Sequence, residues 1–248
     1  MTALPVNAFK AALAEGRLQR GVWCTINESL VAEMVAGCGF DWMMFDTEHS
    51  ALDPLTVLPL LQAVAPYPVS PIVRPGSLNA AEIKKLLDLG AQTLLVPMIQ
   101  NAAMAAEAVA AVTYPPEGIR GVSGMTRATR FATVAGYHNA ARAEICLILQ
   151  VETLEAVANI EAIAAVEGVD AIFVGPADLA ASMGYAGEPN HPDVTKAVLD
   201  AIRRIVATGK PAGILTTSAE VYDAAVAAGA LFAARHVDMI ALRKGLLA

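Results

Sequence analysis

The sequence predicts an α/β fold of the (β/α)8 TIM-barrel type, in which eight parallel strands alternate with helices. The chain has 248 residues, which is about the length of one such barrel. Short apolar runs alternate with Ala- and Leu-rich helical stretches along the whole chain, as expected for a parallel sheet covered by helices. The glycines Gly90, Gly168, Gly209 and Gly229 follow helical stretches and precede strands, where a left-handed residue ends a helix.

The predicted strands are short runs in which nearly every residue is apolar or β-branched, a pattern typical of strands buried on both faces. The clearest of them are the runs at 93–96 and 145–149. In chain order we expect strands at 21–25, 42–46, 70–74, 93–98, 146–151, 171–174, 211–215 and 231–234.

Helical patterns follow most of these strands. We expect helices at 29–36, 54–64, 79–89, 102–112, 154–166, 191–207, 219–228 and 239–247. The first 20 residues lack the apolar core of a signal peptide and predict one more helix. Two longer connections, 113–130 and 182–192, are expected to be loops, either functional lids or plain excursions. We expect one barrel domain over 1–248. A doubly wound open sheet is the alternative, but the GxGxxG turn expected there is missing from the sequence,.

Composition excludes several classes of function. The net charge is −7 and no run of Lys and Arg occurs, so we expect no nucleic-acid partner. No apolar run reaches the roughly 18–20 residues that span a bilayer. The chain has 56% hydrophobic and 17% charged residues. Because this composition leaves apolar surface that is best buried between subunits, it predicts a homo-oligomer. Cys24, Cys38 and Cys146 form no CxxC pair, which favours reduced cysteines in a cytoplasmic protein.

Polar side chains stand at the carboxyl ends of four predicted strands. Active sites of (β/α)8 barrels are built at this end of the barrel, so agreement among four strands predicts a site there. Each residue taken singly also has a structural interpretation, for example a helix cap, a solvated loop acid or an ion pair. The residues are Asp46, Glu48 and His49 after the second strand, Arg74 ending the third, Gln150 and Glu152 at the fifth, and Asp178 after the sixth.

Two of these acids predict a metal site. Glu152 and Asp178 are separated by about one strand–helix–strand unit, which places their carboxylates side by side on one rim. Two hard oxygen ligands that leave positions free are typical of Mg²⁺ or Mn²⁺ sites. A 2-oxo acid would fill two further positions, with Arg74 as a fixed positive charge and His49 as the acid/base. No lysine ends a predicted strand, so a Schiff-base mechanism lacks its nucleophile.

Several motifs together resemble the metal-dependent pyruvate aldolases of the HpcH/HpaI family. They cover nearly the whole chain in the order that this family shows. The motifs are FDW at 40–42, DTEH at 46–49, VRP at 73–75, LLDLGAQTLLVPM at 86–98, YPPEGIRG at 114–121, QVET at 150–153, GVD at 168–170 and GPADL at 175–179.

The resemblance implies a barrel of the phosphoenolpyruvate/pyruvate superfamily that cleaves 4-hydroxy-2-oxo acids to pyruvate and an aldehyde, and catalyses the reverse addition. It implies Mg²⁺, Mn²⁺ or Co²⁺ as the metal, no organic cofactor, and a hexamer with exchanged C-terminal helices. By the resemblance, Glu152 and Asp178 bind the metal, Asp46 holds a metal-bound water, His49 is the acid/base and Arg74 stabilises the enolate. Gln150, Gly175, Ala177 and Asp178 bind the substrate, and Leu215 limits the size of the aldehyde. Asp88 contacts the catalytic histidine of a neighbouring subunit.

The sequence departs from the family pattern in two places. Thr47 stands where glycine is usual, a change that a strand end should tolerate. The segment 233–238 replaces a smaller turn, and its Arg235 and His236 are expected to be structural rather than part of the pocket.

Other functions remain open at this stage. One is different enolate chemistry at the same site, such as decarboxylation of a 2-oxo diacid or acyl-CoA lysis. Another is a barrel that binds an organic acid without turning it over. The sequence leaves the natural aldehyde and the stereochemical preference undefined.

Overall fold

The computed structural model describes residues 3–247 and contains a closed barrel of eight parallel strands. Each strand pairs with the next along the chain, and the last pairs with the first. The predicted (β/α)8 fold is therefore confirmed. The strands are β1 Gln19–Cys24, β2 Trp42–Asp46, β3 Ser70–Arg74, β4 Thr93–Val96, β5 Cys146–Val151, β6 Ala171–Val174, β7 Ala212–Leu215 and β8 Ala230–Val237.

Helices surround the barrel and connect its strands. The four glycines predicted to end helices all have positive φ, between 82° and 105°, as left-handed caps require. The helices are α1 Ala8–Ala14, α2 Ser29–Ala36, α3 Pro54–Val64, α4 Ala80–Asp88, α5 Ala102–Val112, α6 Tyr137–Glu144, α7 Leu154–Ala158, α8 Ile160–Ala164, α9 Pro176–Ser182, α10 Pro192–Ala207, α11 Ala219–Ala227 and α12 Asp238–Leu247.

The structure differs from the predicted elements in a few places. The single helix expected at 154–166 is two short ones, because Asn159 leaves helical geometry and its amide donates to the Gln100 carbonyl at 2.9 Å. The fourth strand ends at Val96 rather than at residue 98, and β8 extends beyond its predicted range on both sides. The helix α6 was not predicted, because its sequence YHNAARAE has little apolar periodicity. The helical stretch expected to begin near Asp178 is α9, which begins at Pro176.

The barrel interior is closed at the amino-terminal ends of the strands by α1. Phe9 lies among the inward-facing side chains, and its ring meets Phe232 edge-on at 5.5 Å and Trp42 at 6.3 Å. Asn7 caps α1, and its side-chain amide donates to the Thr93 hydroxyl at 3.0 Å. The apolar interior is therefore shielded at this end, which leaves the opposite end as the open mouth.

Alternation along the strands determines which side chains enter the mouth. Trp42 and Met44 of β2 face the apolar interior, so Asp46, two residues on, has the same inward direction. The same parity turns Arg74 of β3 and Gln150 of β5 inward. Charged and amide groups thus cap an apolar interior at the carboxyl ends of the strands.

Within residues 3–247, no helix combines the length and the hydropathy that crossing a bilayer requires.

Candidate active site

The centre of the site is an ion pair between Asp46 and Arg74. The parallel register of β2 and β3 sets these two residues side by side. Arg74 donates from Nε to Asp46 Oδ1 at 2.9 Å and from Nη2 to Oδ2 at 2.6 Å, and both side chains are buried. Burial raises the pKa of Asp46, but the hydrogen bonds and charge of Arg74 and the Trp23 indole outweigh it and leave the pKa below its usual value. This carboxyl group is therefore held ionised.

Glu48 and His49 stand on the same rim, next to Arg74. Glu48 Oε2 lies 2.9 Å from Arg74 Nη1, yet burial outweighs the arginine and raises the pKa of Glu48. The His49 side chain is 63% exposed, and its Nε2 lies 3.8 Å from Glu48 Oε1. The histidine ring therefore stands at the open mouth, beside the Glu48–Arg74 pair.

Glu152 is a buried carboxylate on the other side of the mouth. Its Oε1 accepts from the Met98 backbone N–H at 2.8 Å, and its Oε2 accepts from the Gln150 amide. Burial, and to a lesser extent the negative charges of Asp178 and Glu48, raise the pKa of Glu152 to about 7. The Gln150 Oε1 atom is buried and has no hydrogen-bond partner among the described residues. An acceptor without a donor beside an excess of negative charge is a suitable place for a cation.

The backbone beside Glu152 has two unusual positions. Met98 has φ of 57°, a left-handed conformation that is strained for a methionine, and this geometry directs its N–H at the carboxylate. A Cβ atom at Gly175 would collide with the Glu152 side chain, so glycine is required there. The backbone at both positions therefore holds the Glu152 carboxylate in place.

Asp178 belongs to the first turn of α9. The helix begins after Gly175, which makes no side-chain cap, and Asp178 is its third residue. The alternative that Asp178 only caps the helix is therefore wrong, because Gly175 occupies the cap position. The charge of Asp178 acts on both Glu152 and Glu48, which places the three acids around one space. Among the described residues no group of three or more His, Cys, Asp and Glu side chains is arranged to hold a metal ion.

Other predicted residues lie outside this cluster. Asp88 ends α4, near the start of β4 and so at the opposite end of the barrel, where it pairs with the buried Arg120 at 3.0 Å. Leu215 ends β7 at the mouth and packs against the interior cluster. Arg235 and His236 are exposed on the outer surface, where His236 packs against Phe40, so neither side chain enters the pocket.

Thr47 has a structural role in this chain. Its hydroxyl donates to the Arg74 carbonyl at 2.6 Å and joins the ends of β2 and β3. This contact agrees with the expectation that the strand end tolerates a side chain at position 47.

Sequence reasoning missed Trp23, which lies directly beneath the ion pair. Its indole Nε1 donates to Asp46 Oδ2 at 3.1 Å, and the Arg74 guanidinium lies 4.9 Å from its ring centre. Strand alternation could have identified it. Trp23 is a large aromatic residue in the predicted first strand, at a position whose side chain points into the barrel, and this strand neighbours the one that carries Asp46.

Comparison with known proteins agrees with this geometry. The family model described as HpcH/HpaI aldolase/citrate lyase matches residues 19–244. The chain belongs to this family. It is 56% identical to the pyruvate aldolase of Rhizobium etli, over 98% of this chain and 95% of the relative. It is 50% identical to the 4-hydroxy-2-oxo-heptane-1,7-dioate aldolase of Salmonella arizonae, over 96% and 91%. A crystal structure of an HpcH/HpaI aldolase/citrate lyase family protein from Burkholderia cenocepacia superposes with a TM-score of 0.92, 35% identity and 98% coverage of both chains.

Membership in the HpcH/HpaI family makes this protein a carbon–carbon lyase of the aldolase type. The match spans every residue placed in the mouth of the barrel, from Trp23 to Leu215.

Proposed function

We propose that this HpcH/HpaI family member is a divalent-metal-dependent aldolase. It would cleave 4-hydroxy-2-oxo acids to pyruvate and an aldehyde, and catalyse the reverse addition. The observation that carries the proposal is the buried Glu152 carboxylate, which feels the charge of Asp178 and stands on the same rim as the Asp46–Arg74 pair. The names of the Rhizobium and Salmonella relatives support the substrate class.

The residues present fit a divalent cation. Glu152 and Asp178 would bind it, with the Gln150 Oε1 atom beside it as an acceptor that otherwise lacks a partner. A hard cation with only two protein ligands keeps positions for water and for a chelating 2-oxo acid. When bound, the metal supplies Lewis-acid polarisation of the 2-oxo group. Mg²⁺, Mn²⁺ and Co²⁺ all suit such oxygen ligands.

The substrate carboxylate would lie at the start of α9. The backbone N–H groups of Ala177 and Asp178 have no intrahelical partner in the first turn, and a helix N-terminus favours negative charge. Gly175 contributes no side chain, which leaves room for the Glu152 carboxylate beside this turn.

The chain's own side chains would carry the charge and proton changes of cleavage. As the bond between C3 and C4 breaks, its electrons move toward the 2-oxo oxygen, and the Arg74 guanidinium stabilises the negative charge that develops there. His49 accepts the proton of the 4-hydroxyl group as the aldehyde forms, and returns it in the addition direction. Asp46 keeps Arg74 in place by its two-point contact.

A neighbouring copy would complete the site. Asp88 lies away from the mouth of its own barrel, so its proposed contact with His49 requires another subunit. The C-terminal helix α12 exposes Met239, Leu242 and Leu246, between 56% and 78%, in accord with an apolar contact between copies. We propose a homo-oligomer with α12 in its interface and a hexamer as its form, and Leu215 as the wall that limits aldehyde size.

The test is pyruvate release from a simple 4-hydroxy-2-oxo acid after EDTA treatment and again after Mg²⁺ or Mn²⁺ is restored. We expect activity to disappear with the chelator and return with the metal. Activity that persists in EDTA would contradict the roles given to Glu152 and Asp178. Carbon dioxide release without an aldehyde would identify a decarboxylase, and ligand binding without turnover would identify a binding protein.

A further inference from the structure

Trp23 touches both members of the central ion pair through two different parts of its side chain. Its Nε1–H donates to Asp46 Oδ2 at 3.1 Å, and its ring lies 4.9 Å from the Arg74 guanidinium carbon. The residue is 4% exposed and packs against Phe173 at 5.7 Å. Its neighbour in the β-register is Met44, which places Trp23 one inward layer below Asp46.

These contacts complete the enclosure of the Arg74 guanidinium. One edge is held by Asp46, Nη1 faces Glu48 at 2.9 Å, and the indole of Trp23 covers one face. A guanidinium held on two edges and against an indole ring has little freedom to tilt, and the Arg74 side chain is only 7% exposed. A guanidinium stabilises a developing negative charge fully only when its N–H groups point at the oxygen that carries the charge. The tilt of the Arg74 guanidinium therefore matters as much as its charge.

We propose that Trp23 is a positioning residue for the aldolase reaction, which sets the orientation of Arg74 toward the oxygen that becomes negatively charged. It acts through Asp46 and Arg74 and needs no contact with the substrate. The indole N–H takes one of the Asp46 lone pairs, which leaves the carboxylate in the plane of Arg74. The ring adds a cation–π contact that favours one tilt of the guanidinium. This role rests on the proposed aldolase function.

The chain contains a matched control, because Trp42 is its only other tryptophan. Trp42 is also fully buried, faces the barrel interior, and donates from Nε1, in its case to the Gln19 carbonyl at 3.2 Å. It lies at the closed end of the barrel, against α1. Trp23→Phe and Trp42→Phe therefore remove the same kind of buried N–H donor at opposite ends of one interior.

The experiment compares both variants with the unchanged protein, with Mg²⁺ present, by steady-state cleavage kinetics and by inhibition with oxalate, a stable mimic of the pyruvate enolate. For Trp23→Phe we expect kcat to fall about tenfold or more and the oxalate inhibition constant to rise by a similar factor, with KM changing less than threefold. Trp42→Phe should lower the Tm without changing the ratio of oxalate to substrate affinity. Equal kinetic effects in the two variants would overturn the proposal.

A second measurement does not depend on the folding of Trp23→Phe. In Trp42→Phe protein the remaining indole is Trp23, so tryptophan fluorescence reports on this position alone. We expect its emission to change when Mg²⁺ and oxalate are added together, because the bound anion changes the charge next to the guanidinium that lies against the indole ring. Emission that stays constant while oxalate inhibits would contradict the role. An unchanged protein that releases no pyruvate with any metal would instead refute the proposed function.

Discussion

Two acids on the same rim have pKa values shifted in opposite directions, and the difference lies in their immediate partners. Asp46 accepts hydrogen bonds from Arg74 and Trp23, which overcome the effect of burial. Glu152 is buried beside the charges of Asp178 and Glu48, and its donors Gln150 and Met98 are neutral. In the absence of a cation, one carboxyl group is therefore ionised and the other takes up a proton near neutral pH.

This asymmetry predicts how the metal-free protein responds to pH. Burial raises the pKa of Glu152 from 4.5 to about 7, so between these values the folded state binds a proton more readily than the unfolded state. The stability that Glu152 contributes is fully present below the unfolded pKa and is lost as the pH rises through the folded pKa of about 7. The loss should be on the order of 3 kcal/mol, measured by urea unfolding in EDTA from pH 5 to pH 8.

The variant Glu152→Gln is the control for that experiment, because it removes the titrating carboxyl group and keeps its shape. Its unfolding free energy should vary less over the same pH range. Mg²⁺ should stabilise the unchanged protein at pH 8 and leave Glu152→Gln unaffected, since binding to the folded state alone raises stability. Stability that rises with pH in EDTA would refute the environment assigned to Glu152.

His49 offers a second test at the residue scale. In His49→Ala, cleavage of a 4-hydroxy-2-oxo acid should fall by about 10²–10⁴-fold, the usual contribution of a general acid/base. Exchange of the pyruvate methyl protons with deuterated water, followed by NMR, should be much less affected, because that step does not involve the 4-hydroxyl. His236→Ala is the matched control, since this histidine lies on the outer surface. Cleavage that survives in His49→Ala would remove His49 from the mechanism.

At the scale of elements, the junction of β6 and α9 positions one side of the site. The Gly175 N–H donates to the Val151 carbonyl at 3.1 Å, which holds the start of α9 against the end of β5. Glycine is needed here for space and not for conformation, since its φ of −96° is open to any residue,.

Gly175→Ala should therefore displace the Glu152 side chain while leaving the backbone intact. We expect metal affinity to weaken and kcat to fall by roughly 100-fold, the scale of effect of a 1 Å misplacement. Calorimetric titration with Mn²⁺ measures the metal affinity, and the rate of pyruvate release measures kcat. Gly37→Ala is the control, because Gly37 also has negative φ and a Cβ there meets nothing closer than 3.4 Å.

The success of sequence-based prediction also varies by element. The strands β2, β3, β5 and β6 have the predicted boundaries because each contains a run of three or more apolar residues. The helix α6 escaped prediction because its sequence YHNAARAE shows little apolar periodicity. The positions of Asp46, Arg74 and Gln150 at the carboxyl ends of predicted strands predicted that they reach the mouth. The tilt of the Arg74 guanidinium depends on Trp23, a contact between strands that a linear pattern does not contain.

At the scale of the whole molecule, the barrel has one closed end and one open end, and its last helix is poorly covered. Of the residues in α12, only Asp238 is buried. Its carboxylate accepts from the backbone N–H groups of Thr25 and Ile26, each at 2.9 Å. The start of α12 is thus attached to β1, while its apolar side chains face outward.

Charges placed on this helix should dissociate the proposed oligomer. We expect the double variant Leu242→Glu and Leu246→Glu to sediment as a smaller species than the unchanged protein in analytical ultracentrifugation. Leu30→Glu, at another exposed leucine on α2, should leave the assembly as it is. An unchanged sedimentation coefficient in the double variant would exclude α12 from the interface. Dissociation should also lower cleavage activity, because Asp88 would no longer reach a neighbouring His49.

The left-handed backbone at Met98 has a consequence for anyone who redesigns this enzyme for heat resistance. Glycine or asparagine would adopt this conformation at lower cost than methionine, so a search guided by folding energy alone would select position 98 early. Either residue keeps the backbone N–H that donates to the Glu152 carboxylate at 2.8 Å, so the substitution relieves strain without removing this contact. Position 98 is therefore a site for a thermostability library, which should be screened for turnover together with melting because the same backbone holds a site carboxylate.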